Sequence, residues 1–413
     1  MSENSIPSFP AKTGNSLRLV MQSSAFVVLW LSEALSLVGD RLVMVALITL
    51  VYDRTGSSGA VGTLMVFKAI PALLLGSIAG VFVDHWNRKW IMVAANLFQG
   101  MLVFWLPVAP GLAGVFVIYL VMSTINQFFV PARAAAIPDL VPPDALMTAN
   151  SLFAMSIVFA MAIGPGIGTW ITEQYGLNAA FYVDSATFLI PAVAVMFLSI
   201  PFHSRTKIRF DLLKNLKEGL AFSLTQPVVL LSLVTITVGF YIVGTISVAG
   251  VVITRDVLHV ATSKFGLIVS GLGGGMLLGA LLSNFSKRWF TSMQCSLTGA
   301  ILMGLAVMFL PFSSNLVMAC TITALIGMGM MIVQINGQVL LQTIAPAMRG
   351  RLMGISQTLT GTASFLASAL TGFLLEKISI PFVLGMVGVA ALIVLSITAF
   401  RFGYLSSNRE TSK

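Results

Sequence analysis

The sequence predicts an all-α membrane protein of twelve transmembrane helices in two pseudo-symmetric six-helix bundles. Three observations carry that prediction: charge is scarce, the charge-free runs have membrane-crossing length, and landmarks of the first half recur in the second.

Of 413 residues, 57% are apolar and 9% charged. A soluble domain carries roughly 25% charged residues because its surface must stay hydrated. This chain has too little charge to cover a water-facing surface of its size. No Asp, Glu, Lys or Arg interrupts the stretches from Lys89 to Arg133, Glu218 to Arg255, Arg288 to Arg349, or Lys377 to Arg401. A helix crosses the hydrocarbon layer with ~20 apolar residues. The first and third stretches therefore hold two crossings each, hinged at Pro107–Gly111 and Pro311–Asn315. None shows the alternation of an outer-membrane strand.

Spans are expected at about 25–51, 58–83, 90–108, 112–130, 147–171 and 179–200, then 228–253, 264–284, 292–312, 315–341, 352–375 and 380–402. The segment 1–24 is polar and lacks a hydrophobic signal core, so it reads as a cytoplasmic tail, as does 403–413. Between the halves, 201–227 is the longest polar interval. Its Asp211-to-Leu220 stretch has the pattern of an amphipathic helix lying on the membrane face.

Orientation follows from the cations. With the N-terminus inside, 17 of 23 Lys and Arg residues are cytoplasmic. Arg54, Arg255, Lys264 and Lys377 lie outside, and Arg41 and Lys68 lie within spans. The positive-inside rule thus places both termini of this multi-pass membrane protein in the cytoplasm. The same distribution explains the net charge of +9 without nucleic acid. Trp86, Trp90, Trp105, Trp170 and Trp289 fall at span ends, where indoles anchor at the headgroups. Cys295 and Cys320 both fall in apolar runs, so no disulfide framework is expected.

The halves echo one another. Gly80-Val-Phe-Val-Asp84 through Lys89 is matched by Gly279-Ala-Leu-Leu-Ser283 through Arg288, 199 residues on. Ile125-Asn126 recurs as Ile335-Asn336, Pro142 as Pro346 and Gly168 as Gly372. A duplicated six-helix unit with a binding site at the midplane between the repeats is a secondary-transporter architecture.

These motifs resemble the major facilitator superfamily. Gly80-x-x-x-Asp84-x-x-Asn87-Arg88-Lys89 is similar to its loop 2–3 signature, with His85 in place of a base and Asn87 in place of a glycine. Asn tolerates positive φ, so the turn is expected to survive. The resemblance implies a cytoplasmic gate of Gly80, Asp84, Arg88, Lys89, Arg133 and Asp139, with Asp84 bracing a neighbouring helix end. Gly164-Pro165-Gly166-Ile167-Gly168 resembles the superfamily's exporter motif, in which Gly164, Pro165 and Gly168 allow close helix approach and a bend. Phe129 through Pro142, then Ala149-Asn150-Ser151-Leu152, together with Gly39-Asp40-Arg41, resemble the macrolide-efflux and enterobactin-exporter branch. The arginine expected in span four of proton/drug antiporters would fall near Ser123, so proton handling is not assigned there.

Charges inside spans mark the expected working site. On the insertion scale Asp40 and Arg41 cost roughly 5–7 kcal/mol, against roughly 4.5–9 kcal/mol gained from the 15 Leu, Ile, Phe and Val residues of 26–51. Span one is tolerable only with that face turned to partners or a wet cavity. Glu33 and Asp40, seven residues apart, share a face, and Lys68 enters span two at the depth of Asp40. An Asp40 pairing with Lys68 or Arg41 is expected. The proton-coupling set is Asp40, Glu33, Arg41, Lys68 and Asp184, and the substrate-cavity amides are Asn126, Gln127, Gln334, Asn336 and Gln338.

His85, His203 and His259 are scattered in loops, so no metal, cofactor or catalytic cluster is expected. No Walker-type loop is present. The expectation is a non-enzymatic secondary exporter of amphipathic small molecules, drug, macrolide-like or siderophore-like. It would work by proton antiport and alternating access, as a monomer whose partners are the substrate, protons and the lipid bilayer. The alternative is a facilitator, importer or flippase of a metabolite or lysophospholipid.

Overall fold

The computed structural model describes residues 13–200, 218, 221–286, 289–343 and 348–410, except for the side chains of 13–15, 73, 76–78, 80, 81, 84, 284, 286 and 401–410. Eleven helices are long and apolar enough to cross a membrane. A further helix, Ser58–His85, contains the apolar stretch Ser58–Ala72.

The first half comprises α1 (Thr13–Gln22), α2 (Ser24–Thr55), α3 (Ser58–His85), α4 (Arg88–Trp105), α5 (Gly111–Leu140), α6 (Leu146–Tyr175) and α7 (Leu177–Met196). The second comprises α8 (Pro227–Val252), α9 (Phe265–Ser286), α10 (Ser292–Phe309), α11 (Leu316–Thr343), α12 (Arg349–Leu375) and α13 (Ile380–Glu410). The predicted amphipathic helix of the linker lies outside the described residues. In the first half α2 packs on α6 and α7, α3 on α5, and α4 on α7. In the second, α11 packs on α9 and α10, and α8 on α12. Two further pairs, α6 with α9 and α3 with α12, join the halves.

Local signals set the helix starts. Ser23 accepts from the Phe26 amide at 3.3 Å and Ser57 from that of Ala60 at 3.0 Å, as N-caps do. Gly56, at φ 62°, closes α2 in the left-handed conformation that lets the next helix start two residues later.

The structure adds detail to two expectations and corrects a third. The N-terminal tail contains α1, whose fully buried Val20 packs into a core with Phe26 and Leu29. The helix of span four continues past 130: the Ala-rich segment after Pro131 carries α5 to Leu140, because alanine favours helix strongly enough to extend it past Arg133. Asn87 is not in a positive-φ turn. It sits at φ −67° as the N-cap of α4 and accepts from the Lys89 amide at 3.0 Å.

Two ends can be distinguished. One, the terminus end, holds the start of α2 and the end of α3. The other, the far end, holds the α2–α3 turn with Arg54, and also Arg255, Lys264 and Lys377. At the terminus end a core of Phe26, Val83, Met92, Phe129, Phe153 and neighbours comes, among the described residues, from the first half alone. Toward the far end the core built on Leu42–Tyr52 includes Val248, Val251, Val252 and Phe265 of the second half. The five tryptophans expected to anchor at the headgroups are all exposed near helix ends.

Candidate functional site

A cavity of about 370 Å³ opens in the wall of the first half, within the size range of small-molecule sites. Helix periodicity lines it. From α2 come Glu33, Ser36, Leu37, Asp40 and Arg41; from α3, Lys68; from α4, Asn96 and Gln99. Helix α5 adds Tyr119, Ser123, Asn126, Val130 and Arg133 at intervals of three or four residues, which keeps them on one face. Met122, Phe129 and Phe188 supply apolar wall.

The charges divide into two groups. Arg133 donates to Glu33 Oε1, while its guanidinium carbon sits 5.3 Å from the centre of the Phe153 ring. Glu33 Oε2 is buried with no hydrogen-bond partner. Further along α2, Asp40 forms no ion pair within 4.0 Å among the described residues. The expected pairing with Lys68 or Arg41 is therefore not made in this conformation. Lys68 instead reaches past Asp40 to Met44, one turn on, where its Nζ lies 3.6 Å from the sulfur. Arg41 Nε is buried and unpartnered. The cavity thus holds a carboxylate and two cations that share a space without direct contact. Such a set can grip the polar end of a ligand, and its protonation depends on how far the cations stand from the carboxylate.

The remaining candidates fall in several places. Asp184 lies behind the cavity wall, fully buried; it accepts from Thr187 Oγ1 at 2.9 Å, and its Oδ2 has no partner. Asn126 lines the cavity, whereas Gln127 donates to the Ser123 carbonyl of its own helix at 3.1 Å. Asn336 lies outside this cavity: it is fully buried, it donates to Ser283 Oγ at 3.0 Å and to the Ile332 carbonyl, tying α11 to α9, and its Oδ1 has no partner among the described residues. Gln334 and Gln338 are half-buried on α11, and Gln334 Oε1 has no partner.

Of the residues expected at the gate, Gly80 lies in α3, and the Asp84 side chain lies outside the described residues. Arg88 is buried, pairs with Asp139 and donates to the Ala135 carbonyl at 3.0 Å, joining the start of α4 to the end of α5. Lys89 stands over the Trp90 ring at 5.3 Å. Arg133, grouped with the gate on sequence, lines the cavity. Its side chain pairs with Glu33, one hundred residues away in sequence.

The Gly164–Gly168 segment makes close contacts on both faces of α6. A Cβ on Gly164 would meet the Val38 carbonyl oxygen at 2.9 Å, and one on Gly168 the Leu42 carbonyl oxygen at 3.0 Å, so both glycines set the approach to α2. Pro165 provides no N–H for the Met161 carbonyl, and the Gly166 amide donates to Ser270 Oγ of α9 at 2.8 Å.

The far end is sealed between the halves. Tyr52 donates to Asp256 at 2.8 Å and Thr262 to Asp53 at 2.6 Å, with Arg255 at 3.6 Å from Asp53. Thr169 donates to the Ser263 carbonyl at 2.7 Å and Ser58 to the Gly372 carbonyl at 2.9 Å. A π-turn at Ile253–Val257 aims Asp256 at Tyr52. Sequence reasoning missed this seal, because nothing in a single chain pairs residue 52 with 256. It also missed Asn96 and Gln99, buried amides inside an apolar run, the same signal used for spans four and ten.

Residues 29–368 match the sequence model of the Major Facilitator Superfamily. The chain is similar to the uncharacterized MFS-type transporter YfiS of Bacillus subtilis (strain 168), at 27% identity over 88% of this chain and 89% of the relative. It is similar to macrolide efflux protein A of Streptococcus pyogenes at 23% identity over 64% and 68%. Among solved structures, a bacterial homolog of the human lysosomal transporter Spinster, in an inward-facing and unoccupied conformation, superposes with a TM-score of 0.71 at 14% identity, covering 94% of this chain and 97% of that one.

Proposed function

We propose that this chain, which belongs to the Major Facilitator Superfamily, is a secondary active transporter that exports amphipathic small molecules by proton antiport. Twelve spans, counting Ser58–His85, cross a bacterial cell membrane with both termini in the cytoplasm. One monomer carries one pathway.

The observation that carries this reading is the pairing of a charge-lined cavity in the first half with a seal between the halves at the far end. With the termini inside, the far end is external, and the conformation is closed outside and inward-open. A carrier in that state receives substrate from the cytoplasm. Rocking of the halves would then break the far-end contacts and close the terminus end, presenting the cavity outside. The apolar wall formed by Met122, Phe129 and Phe188 suits the body of an amphipathic substrate, and the amides Asn96, Gln99 and Asn126 suit its polar groups.

Asp40 is the proposed coupling carboxylate. It stands in the cavity without a counter-ion in contact, so a shift of Arg41 or Lys68 during rocking changes its hold on a proton. Glu33, held by Arg133, is the second candidate. Export is favoured over import by the branch resemblance and by the efflux function named for the streptococcal relative.

The test is a substrate panel of hydrophobic dyes, macrolides and catecholate siderophores in energised inside-out vesicles, with and without a protonophore. Uptake that collapses with the proton gradient is the expected result. Transport that survives the protonophore and requires ATP would overturn the antiport reading.

A further inference from the structure

Helix α12 and its C-cap present Ser368, Gly372 and Glu376 at four-residue spacing, hence on one face, and that face meets the first turns of α3. Ser368 Oγ donates to the Gly244 carbonyl of α8 at 3.0 Å and holds α12 within its own half. Gly372 and Glu376 cross to the other. A Cβ on Gly62 would lie 3.1 Å from the Gly372 Cα, and one on Gly372 would lie 2.8 Å from the Ser58 carbonyl oxygen, so the two backbones touch. One turn on, Glu376 Oε1 accepts from Ser57 Oγ at 2.5 Å and from the Gly59 amide at 3.2 Å. Its carboxyl carbon would lie 2.7 Å from a Cβ on Gly59, and the absence of a side chain there makes room for it.

The first amides of a helix have no partner within the helix, and its N-terminus attracts negative charge. The start of α3 therefore has two caps of different kinds. Ser57 belongs to the same half and stays with the helix through any rigid-body motion. Glu376 belongs to the other half and reaches the Gly59 amide only while the far ends of α3 and α12 are in contact.

We propose that Glu376 is a positioning residue for the transport cycle, a carboxylate latch that caps α3 across the seam and stabilises the conformation closed at the far end. This inference rests on the alternating-access reading given above. Opening that end leaves α3 with its own Ser57 cap and removes the charged one, so Glu376 acts on the balance between conformers and not on the stability of either half. The carboxylate is exposed, and water competes for it. The expected effect is accordingly about fivefold on the conformer ratio, in the range of an exposed charge at a helix start.

The full-length protein carrying Cys295→Ser and Cys320→Ser, in lipid nanodiscs, takes spin labels at Val108 and Phe312. Both are exposed and lie at the far end of opposite halves. Pulsed electron–electron distances then count closed and separated forms. Glu376→Ala should raise the ratio of separated to closed by about fivefold. Glu376→Asp should keep part of the latch, and Lys377→Ala should leave the ratio unchanged, with thermal stability in detergent alike for all. Unchanged distances in folded Glu376→Ala, or an equal shift from Lys377→Ala, would overturn the latch. Should Glu376→Ala fail to fold, Glu376→Gln must show a shift in the same direction, and its absence overturns the proposal as well. The distances need no substrate. A shift without export counts against the export reading alone, and export without a shift counts against the latch alone.

Discussion

Arg133 of α5 and Glu33 of α2, one hundred residues apart in the chain, form a buried ion pair in the cavity wall, with one carboxylate oxygen left over. Removing one member leaves the other charge buried and uncompensated, which costs roughly 3–5 kcal/mol. Arg133→Ala should therefore lower thermal stability in detergent sharply. The double variant with Glu33→Ala should lose clearly less than the sum of the two single changes. Strict additivity in a thermal-unfolding cycle would show that the pair is not coupled.

Asp40 makes no such pair, and its substitution is expected to separate coupling from folding. Asp40→Asn should retain expression, stability and downhill exchange of substrate, while abolishing uphill transport driven by a proton gradient. Gradient-driven and downhill flux at matched expression make the comparison. Full uphill transport by stable Asp40→Asn would move the coupling role to Glu33 or Asp184.

Arg88 and Lys89 are neighbours in sequence with opposite roles. Arg88 is buried against Asp139 and the Ala135 carbonyl, whereas Lys89 lies over Trp90 at the surface. Arg88→Ala is expected to cost roughly 3–5 kcal/mol, and Lys89→Ala no more than about 1 kcal/mol, the value of an exposed cation–π contact. Equal losses in the same unfolding assay would contradict the difference in burial.

Gly164 and Gly168 set the α2–α6 spacing by backbone contact. Adding a methyl group there overpacks the interface, with a cost of about 1–3 kcal/mol. Gly164→Ala should be the more harmful, since its Cβ would also come within 2.8 Å of the Arg41 Cβ and so disturb a cavity cation. Stability together with transport rate checks this: a loss of rate exceeding the loss of folded protein is expected for Gly164→Ala and not for Gly168→Ala.

Much of the fold was legible because membrane crossing imposes a length and a composition that charge-free runs report directly. Starts were legible where a polar cap precedes an apolar run, as at Ser23 and Ser57. The end of α5 was not, because Pro131 and Arg133 look like an exit from the membrane while the alanines beside them extend the helix. The cavity was legible to the extent that a charge in a span must face something polar, which singled out Glu33, Asp40, Arg41 and Lys68. Which charge meets which was not legible. Glu33 with Arg133, and Tyr52 with Asp256, depend on helix rotation and on contacts between distant segments that a helical period leaves open. Asn336 shows the converse: its amide nitrogen is engaged within the protein, by Ser283 Oγ and the Ile332 carbonyl, so an amide in a span need not face a ligand.

The uneven ownership of the two cores sets an order of assembly during synthesis. The core around Phe26, Met92 and Phe153 uses only residues that leave the ribosome with the first six long helices. The core around Leu47 waits for Val248, Val251, Val252 and Phe265, more than fifty residues after the end of α7. A chain truncated after Ile200 and released into the membrane should thus protect the first core from hydrogen exchange and leave the second open, with the face of α2 near Leu47 unpaired until α8 and the start of α9 are made.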